Sequence, residues 1–562
     1  MPGKGSSALK QLERLKDSYG GDAAGRKIDL LEVLSKASFS RPKEVLALHE
    51  ILCFLRAYPD SSKVLGQVGE MLRRFSRRKD LRRLRRDLSN SGIAGTEIRF
   101  RFFWFTAEWL ARRWPERISV NWSDFDKRSD LVDILHLLLP YSETPALEEM
   151  VLSPRQWINR LKGPDETDAY FLIRRFKMLS GSSFGRENAF ERLDIPIKLK
   201  ADEGAPSRTL AAYPVKRITF QTRAFSDVRK SLRREIEAAS VSVRQVSPQE
   251  GRKLIDLARE AMITRNRDLD AFEHASEEDV RLVDCGQGLQ FACFGVVPER
   301  RLLLESVYGF LTLKNGVPIG YFLVGTLFGS AEVAYNMFET YRGAESGLIY
   351  SRALAMVRHL FGSDTFVVPP YQLGHNNPEA LQSGAWWFYY KRGFRPRDPG
   401  VRRLLRAELK KMKASPRHRT DVTTLNNLAS ENMYLYLDRR RRTTIGTISS
   451  GDIGFRISSY MARRFGADRE NGISTCSREA ARLLGLRSFQ GFTPGEKLAW
   501  ERWSPLITTL EGIERWSSAQ KRALVKVVRA KGGQRESRFV DLFDRHRRLR
   551  DAIVKLSEDD EA

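Results

Sequence analysis

From about residue 26 to 180 the apolar positions recur at three- and four-residue intervals, the spacing of one face of a helix. KIDLLEVLSK (Lys27 to Lys36), PKEVLALHEILCFLRAY (Pro42 to Tyr58) and EIRFRFFWFTAEWLARRW (Glu97 to Trp114) each predict a helix. Pro42 suits a first helical turn, where its missing N–H costs nothing. The period fails in LKADEGAPSRTLAAYP (Leu199 to Pro214), where a glycine and two prolines predict a linker or an irregular crossing.

Beyond that break the texture changes. SVSVRQV (Ser240 to Val246) alternates like a strand, and PQEGRKLIDLAREAM (Pro248 to Met262) reads as an amphipathic helix. Four strand-like runs follow: LQFACFGVV from Leu289, SVYGFLTLKNG from Ser306, VPIGYFLVGTLFG from Val317 and SAEVAYNMFETY from Ser330. Asn315-Gly316 and Gly329-Ser330 are hairpin signals between them. A helix from Ser346, a strand TFVVPPY from Thr365 and an aromatic helix AWWFYYK from Ala385 come next, ended by Gly393 as a left-handed cap. After Pro396 the pattern is helical again, apart from MYLYL (Met433 to Leu437), which reads as a last strand. The expectation is an α+β chain: a basic helical region over 1–205, a mixed-sheet domain over 206–440 with its core at about 240–398, and a basic helical region over 441–562.

Composition adds a demand for anionic company. Lys plus Arg number 96 against 70 Asp plus Glu, a net charge of +26. Nucleic acid, a phosphate-bearing cofactor and an acidic surface all satisfy it. The densest run, RRFSRRKDLRRLRRD (Arg73 to Asp87), suits either a phosphate grip or the solvated face of a helix with Leu81 and Leu84 inside. The four cysteines form no CxxC pair and no histidine stands at ligand spacing, which argues against a metal module or a disulfide framework and fits a reducing cytoplasm. No leader-like apolar run opens the sequence. Its greasiest stretch, VDILHLLLP from Val132, is far short of the roughly 20 residues that span a bilayer.

The chemistry concentrates at FETYRGAESGLIYSRAL, where a strand runs into a helix. Glycines at 343 and 347 let backbone N–H groups point outward together at a helix start, a shape that binds a diphosphate, with Arg342 as a bidentate partner. An ordinary turn capped by Ser346 is the plain alternative. Arg342-Gly-Ala-Glu345-Ser-Gly347 fills the first and last positions of Gln/Arg-x-x-Gly-x-Gly/Ala, with Glu345 in place of the middle glycine. About 40 residues later, Gln382, Ala385, Tyr389 and Gly393-Phe394 follow the spacing Asn-x-x-Ala-x-x-x-Tyr-x-x-x-Gly-Phe. Residues 240 to 398 thereby resemble the GNAT superfamily of acyl-CoA-dependent N-acyltransferases.

The resemblance implies that acetyl-CoA or another acyl-CoA lies in a notch where the strand from Ser330 parts from TFVVPPY. Tyr335 and Met337 would pair with its pantetheine arm. Arg342, Gly343, Ala344, Ser346 and Gly347 would hold the diphosphate, with Gln382 and Asn377 on the amide position. Tyr389 would protonate the leaving thiolate. Glu332 and Glu339 are alternative bases for the incoming amine, whose identity stays unknown. Two other readings remain open: a nucleic-acid-binding protein with an inactive fold of this kind, and a transferase that takes its acyl group from aminoacyl-tRNA held by the basic flanks. His375 reads as a loop residue beside the proposed cleft. Cys285 and Cys293 read as buried thiols.

Overall fold

The structure is a computed structural model describing residues 2–202, 204–224, 231–343, 345–438 and 440–558. The chain divides into two compact units. One comprises Met1–Phe225, Lys253–His274 and the hairpin tip Leu313–Ile319; the other comprises Ser226–Arg252, Ala275–Thr312 and Gly320–Ala562. Residues 441–562 belong to the same unit as most of the sheet.

In the first unit, helices Pro2–Leu15, Ala23–Lys36, Pro42–Ala57 and Ser62–Arg73 pack through fully buried Leu31, Leu34, Leu48, Leu52 and Val68. Lys27 is wholly buried and its ammonium lies 2.8 Å from Asp60. This unit is not purely helical. Ile98–Phe100, Ile118–Val120 and Ile197–Leu199 form an antiparallel sheet with the last strand in the middle. In EIRFRFF the alternation of Ile98, Phe100 and Phe102 with Arg99 and Arg101 has period two, and the sheet wins there over the helical reading. The helix starts only at Trp104. Trp104, Trp109, Phe125, Phe176 and Phe190 fill the core beside it. The crossing after Leu199 is irregular but ordered, since Arg56 donates to the carbonyls of Thr209 and Ala211 at 2.7 Å each.

A buried carboxyl pair sits in the same unit. Asp268 accepts from Thr106 Oγ1 at 2.7 Å and from the Phe103 N–H at 2.9 Å. Burial, and then the hydrogen bond to Asp268, push Glu273 up to about 11, so the pair keeps one proton, on Glu273.

The second unit holds most of a nine-stranded sheet. Its strands are β1 (Ser242–Gln245), β2 (Ala275–Asp284), β3 (Leu289–Val296), β4 (Ser306–Lys314), β5 (Val317–Leu327), β6 (Ser330–Met337), β7 (Thr365–Val368), β8 (Arg395–Pro396) and β9 (Met433–Tyr436). Their order is β8-β9-β7-β6-β5-β4-β3-β2-β1. β6 runs antiparallel to β5 and parallel to β7, while β9 inserts antiparallel between β7 and β8. The helix Ser346–Phe361 (α1) makes the crossover from β6 to β7. Strand β2 has no counterpart in the sequence reading, because Glu277, Glu278, Asp279 and Arg281 break its apolar pattern and a register shift lies between Ala275 and Val280.

Two of those charges, Asp279 and Arg281, are internal. Asp279 is 0% exposed and accepts from Tyr308 Oη at 3.1 Å and from the Glu536 N–H at 3.3 Å. Arg281 lies 3.6 Å from Asp279, and its guanidinium reaches Ser537 Oγ at 3.4 Å. Arg301 donates to the carbonyls of Val296, Lys531 and Gly533 at 2.9, 2.7 and 2.6 Å. Lys531 closes the set on Glu536 at 2.5 Å. Residues 531–537 are thus clamped to strands β2, β3 and β4 by buried, mutually paired charges. No helix among the described residues is long and apolar enough to cross a membrane.

The carboxyl pair fixes a pH signature. Glu273 keeps its proton in the folded chain and loses it near its ordinary value of about 4.3 when unfolded. Its contribution to stability is full below that value and declines as pH rises toward about 11. Glu273→Gln keeps a donor to Asp268 and cannot titrate. Urea denaturation across pH 5 to 9 is expected to show a decline shallower than wild type by up to about 1 kcal/mol per pH unit. Identical slopes would show that Glu273 is ionised in the fold.

Candidate functional site

Strands β6 and β7 pair over only three residues: Thr365 with Ser330, Phe366 with Ala331 and Val367 with Glu332. β6 then continues to Met337, still paired with β5 through Gly320, while β7 ends at Val368 and the chain enters the short helix Pro370–Leu373 (α2). A gap opens beside Tyr335 and Met337. Gln372 on α2 donates to the Tyr335 carbonyl at 2.7 Å, so that carbonyl faces the gap. In an extended strand the N–H and C=O of one residue share a side and the next residue takes the other. The N–H groups of Tyr335 and Met337 therefore face the gap as well.

β6 leads through a 3-10 turn, Glu339–Tyr341, to Arg342, then to Gly343 at φ +86° and into α1 at Ser346. A β-carbon built on Gly343 meets nothing within 4 Å, so the glycine serves backbone conformation and leaves open space above the turn. The first turn of α1 presents its N–H groups there. Arg342 is tied down: its Nε donates to the Met337 carbonyl at 3.2 Å and its Nη2 pairs with Glu379. Tyr335 Oη reaches the Ser346 carbonyl at 3.4 Å. Arg392 supports the same turn by donating to the Gly347 carbonyl at 2.7 Å and to Glu235 at 2.6 Å. Ala344 lies outside the described residues.

The aromatic segment folds as two helices. Gly384 at φ +70° divides Pro378–Ser383 (α3) from Ala385–Lys391 (α4), because a residue in that conformation cannot continue a right-handed helix. Gln382 lies on α3 and Tyr389 on α4, the helix read from Ala385, and Gln382 is exposed. Asn377 is also committed elsewhere: it caps α3 by accepting from the Ala380 N–H at 3.2 Å and donates to the Tyr371 carbonyl at 3.1 Å. At the other end Gly393, at φ +105°, gives its N–H to the Tyr390 carbonyl and Phe394 gives its own to the Tyr389 carbonyl, each at 3.1 Å. That is the Schellman pattern, with the expected hydrophobic contact between Phe394 and Tyr389 at 5.7 Å between ring centroids.

Tyr389 is 3% exposed and hydrogen-bonds to Gln372, and burial holds its hydroxyl well above the ordinary tyrosine value. It lies in an aromatic nest with Tyr350 at 5.6 Å, and Tyr350 packs on Tyr335 at 5.3 Å and Phe388 at 5.8 Å. Tyr350 Oη is buried and finds no hydrogen-bond partner among the described residues. Trp386 is core, its indole N–H on the Leu428 carbonyl at 2.9 Å, and Trp387 reaches Thr420 at 3.2 Å. The structure thus gathers Tyr335, Met337, Ser346 and Tyr389 around one gap.

The two candidate bases separate. Glu332 is on β6, on the face opposite Tyr335, with burial and then Glu305 raising it above the ordinary carboxylate value. Glu339 is exposed and lies past the strand, in the 3-10 turn. Gln372, Tyr350, Glu379 and Arg392 belong to the site and escaped the sequence reading; only Tyr350, four residues after Ser346 on the inward face of α1, carried a readable signal.

Other clusters are structural or closed. Burial pushes the Cys285 and Cys293 thiols up to about 12. Within the Arg73–Asp87 run, Arg73 and Arg74 pair with Glu70, Arg78 with Asp80, and Arg83 with the Phe39 carbonyl, while Leu81 is buried. Donor atoms of Asp270, Glu273 and His274 lie within 4.8 Å of one another. Comparison of the chain with family models, with curated proteins and with solved structures finds no match in any of the three.

The cap that aims Tyr389 is testable. Gly393→Ala forces an alanine into a positive-φ conformation and is expected to cost about 1–2 kcal/mol in urea denaturation. An unchanged midpoint would mean that the turn at Gly393 relaxes freely.

Proposed function

We propose that the protein is an acyl-CoA-dependent N-acyltransferase whose acyl donor lies in the gap between β6 and β7. The observation that carries this reading is the parting of two parallel strands beyond Val367, next to the glycine turn and the N-terminus of α1. A parallel pair that splits offers unpaired strand backbone to an extended ligand, and the helix start offers N–H groups to a diphosphate.

The gap's contents fit an amide-bearing arm. The Tyr335 carbonyl already receives an amide, that of Gln372. A pantetheine amide would replace it like for like. Arg342 would exchange Glu379 for the diphosphate, a stronger bidentate partner. In the reaction, the amine nitrogen attacks the thioester carbon and the Met337 N–H receives the developing oxyanion. The carbon–sulfur bond breaks and the thiolate takes the proton of Tyr389, whose burial keeps the phenol protonated at neutral pH. Glu332, raised above the ordinary carboxylate value by burial and then by Glu305, or Glu339 would accept the amine's proton.

Isothermal titration with acetyl-CoA and with CoA is expected to show binding to the wild-type chain, and no heat from either would overturn the reading. The Arg342–Glu379 pair is exposed and so worth about 0.2–1 kcal/mol. Glu379→Gln frees Arg342 and is expected to tighten CoA affinity by up to about fivefold; weaker binding would mean that Glu379 itself holds the ligand. With an amine panel and thiol release as readout, Tyr389→Phe is expected to lower turnover about a hundredfold with affinity nearly unchanged. Undiminished turnover would remove Tyr389 from the chemistry.

A further inference from the structure

In the densest arginine run Arg73, Arg74, Arg78 and Arg83 have partners within the chain, and a second group of cations collects in the second unit. Helices Pro494–Thr509 (α5), Ser518–Lys531 (α6) and Ser537–Arg545 (α7) border two cavities, of ≈ 620 and ≈ 410 Å³. Both are lined by Lys526, so they adjoin at its side chain and are taken together as one trough. Arg522, Lys526 and Arg529 stand at i, i+4 and i+7 on α6 and share a face. Arg535, Arg538 and Arg545 line the trough from around α7, and Ala519, Ala523 and Ala530 lie between as small floor residues.

Two of the cations are neutralised. Arg529 pairs with Glu496 at 3.1 Å and Arg545 with Asp541 at 2.7 Å. Arg522, Lys526, Arg535 and Arg538 are exposed and have no acidic partner among the described residues. Glu496 is the only carboxylate in the lining. We propose that this trough binds the sugar–phosphate backbone of a nucleic acid.

The geometry favours a polymer over a single phosphate. α6 is 14 residues long, about 21 Å, and one duplex strand places about six phosphates along that length. Four unpaired cations spread along the trough match successive phosphates, whereas one small phosphorylated molecule would engage one or two. A peptide partner fits poorly, since Leu542 is the only large aliphatic side chain in the lining and no phenylalanine, tyrosine or tryptophan offers an anchor.

The test is fluorescence anisotropy of labelled 20-mers (duplex DNA, duplex RNA and single-stranded RNA) with the full chain across 50 to 200 mM salt. Four neutralised phosphates predict a duplex slope of about −3.6 in log K against log salt, a loss of about a hundredfold over that range. The variant R522Q/K526Q/R535Q/R538Q alters only exposed side chains and is expected to lose most of that slope with an unchanged melting temperature. R82Q/R85Q/R86Q, in the other unit, is expected to keep it. Wild-type affinity and slope in the fourfold variant would overturn the proposal, as would equal losses in both variants. Binding of poly-glutamate as tight and as salt-dependent as that of the nucleic acids would overturn it too. CoA titration of the fourfold variant reads the acyl-donor site separately.

Discussion

The brevity of the β6–β7 pairing governs the second unit. Parallel strands need a crossover, and α1 supplies it, so the start of α1 must emerge at the end of β6. Three paired residues anchor the two strands, and then Pro369 and Pro370 turn the chain away, because proline offers no N–H to a ladder. Everything chemically interesting follows from that early parting. Backbone of β6 faces the gap without a strand partner, Gln372 reaches into it, and the aromatic residues of α1 and α4 close behind.

On the proposed reading, the site is held by substitutes drawn from its own chain. An amide side chain meets the strand carbonyl and a carboxylate meets the arginine. Each is chemically close to the group that an acyl donor would bring, so exchange costs little in hydrogen bonds and mainly reorders α2 and α3, two helices of four and six residues. The phenol of Tyr389 needs no such exchange to stay protonated, since its burial does that by itself.

What the sequence disclosed follows its local physics. Strands rich in valine, phenylalanine and tyrosine, the Asn315-Gly316 turn and the Schellman end at Gly393 all lie in patterns of a few residues, and the fold uses them as read. Strand β2 was invisible because two of its polar side chains, Asp279 and Arg281, are buried as partners of residues more than 250 positions later, Glu536 and Ser537. Gln372 carried no mark at all, being a short-helix residue whose role depends on which carbonyl the parting strands leave exposed. The same non-locality hid the membership of the C-terminal helices in the sheet's unit.

The clamp of residues 531–537 on the sheet bears on how the chain is made. Asp279, Arg281 and Arg301 are synthesised more than two hundred residues before Lys531 and Glu536, and until those arrive the nascent sheet must keep ions without counterparts away from a closed interior. Completion of the β-sheet is thereby postponed until residues 531–537 have been translated. A ribosome that stalls short of Glu536 leaves a product unable to shut its core, readily distinguished by quality-control proteases from a finished molecule.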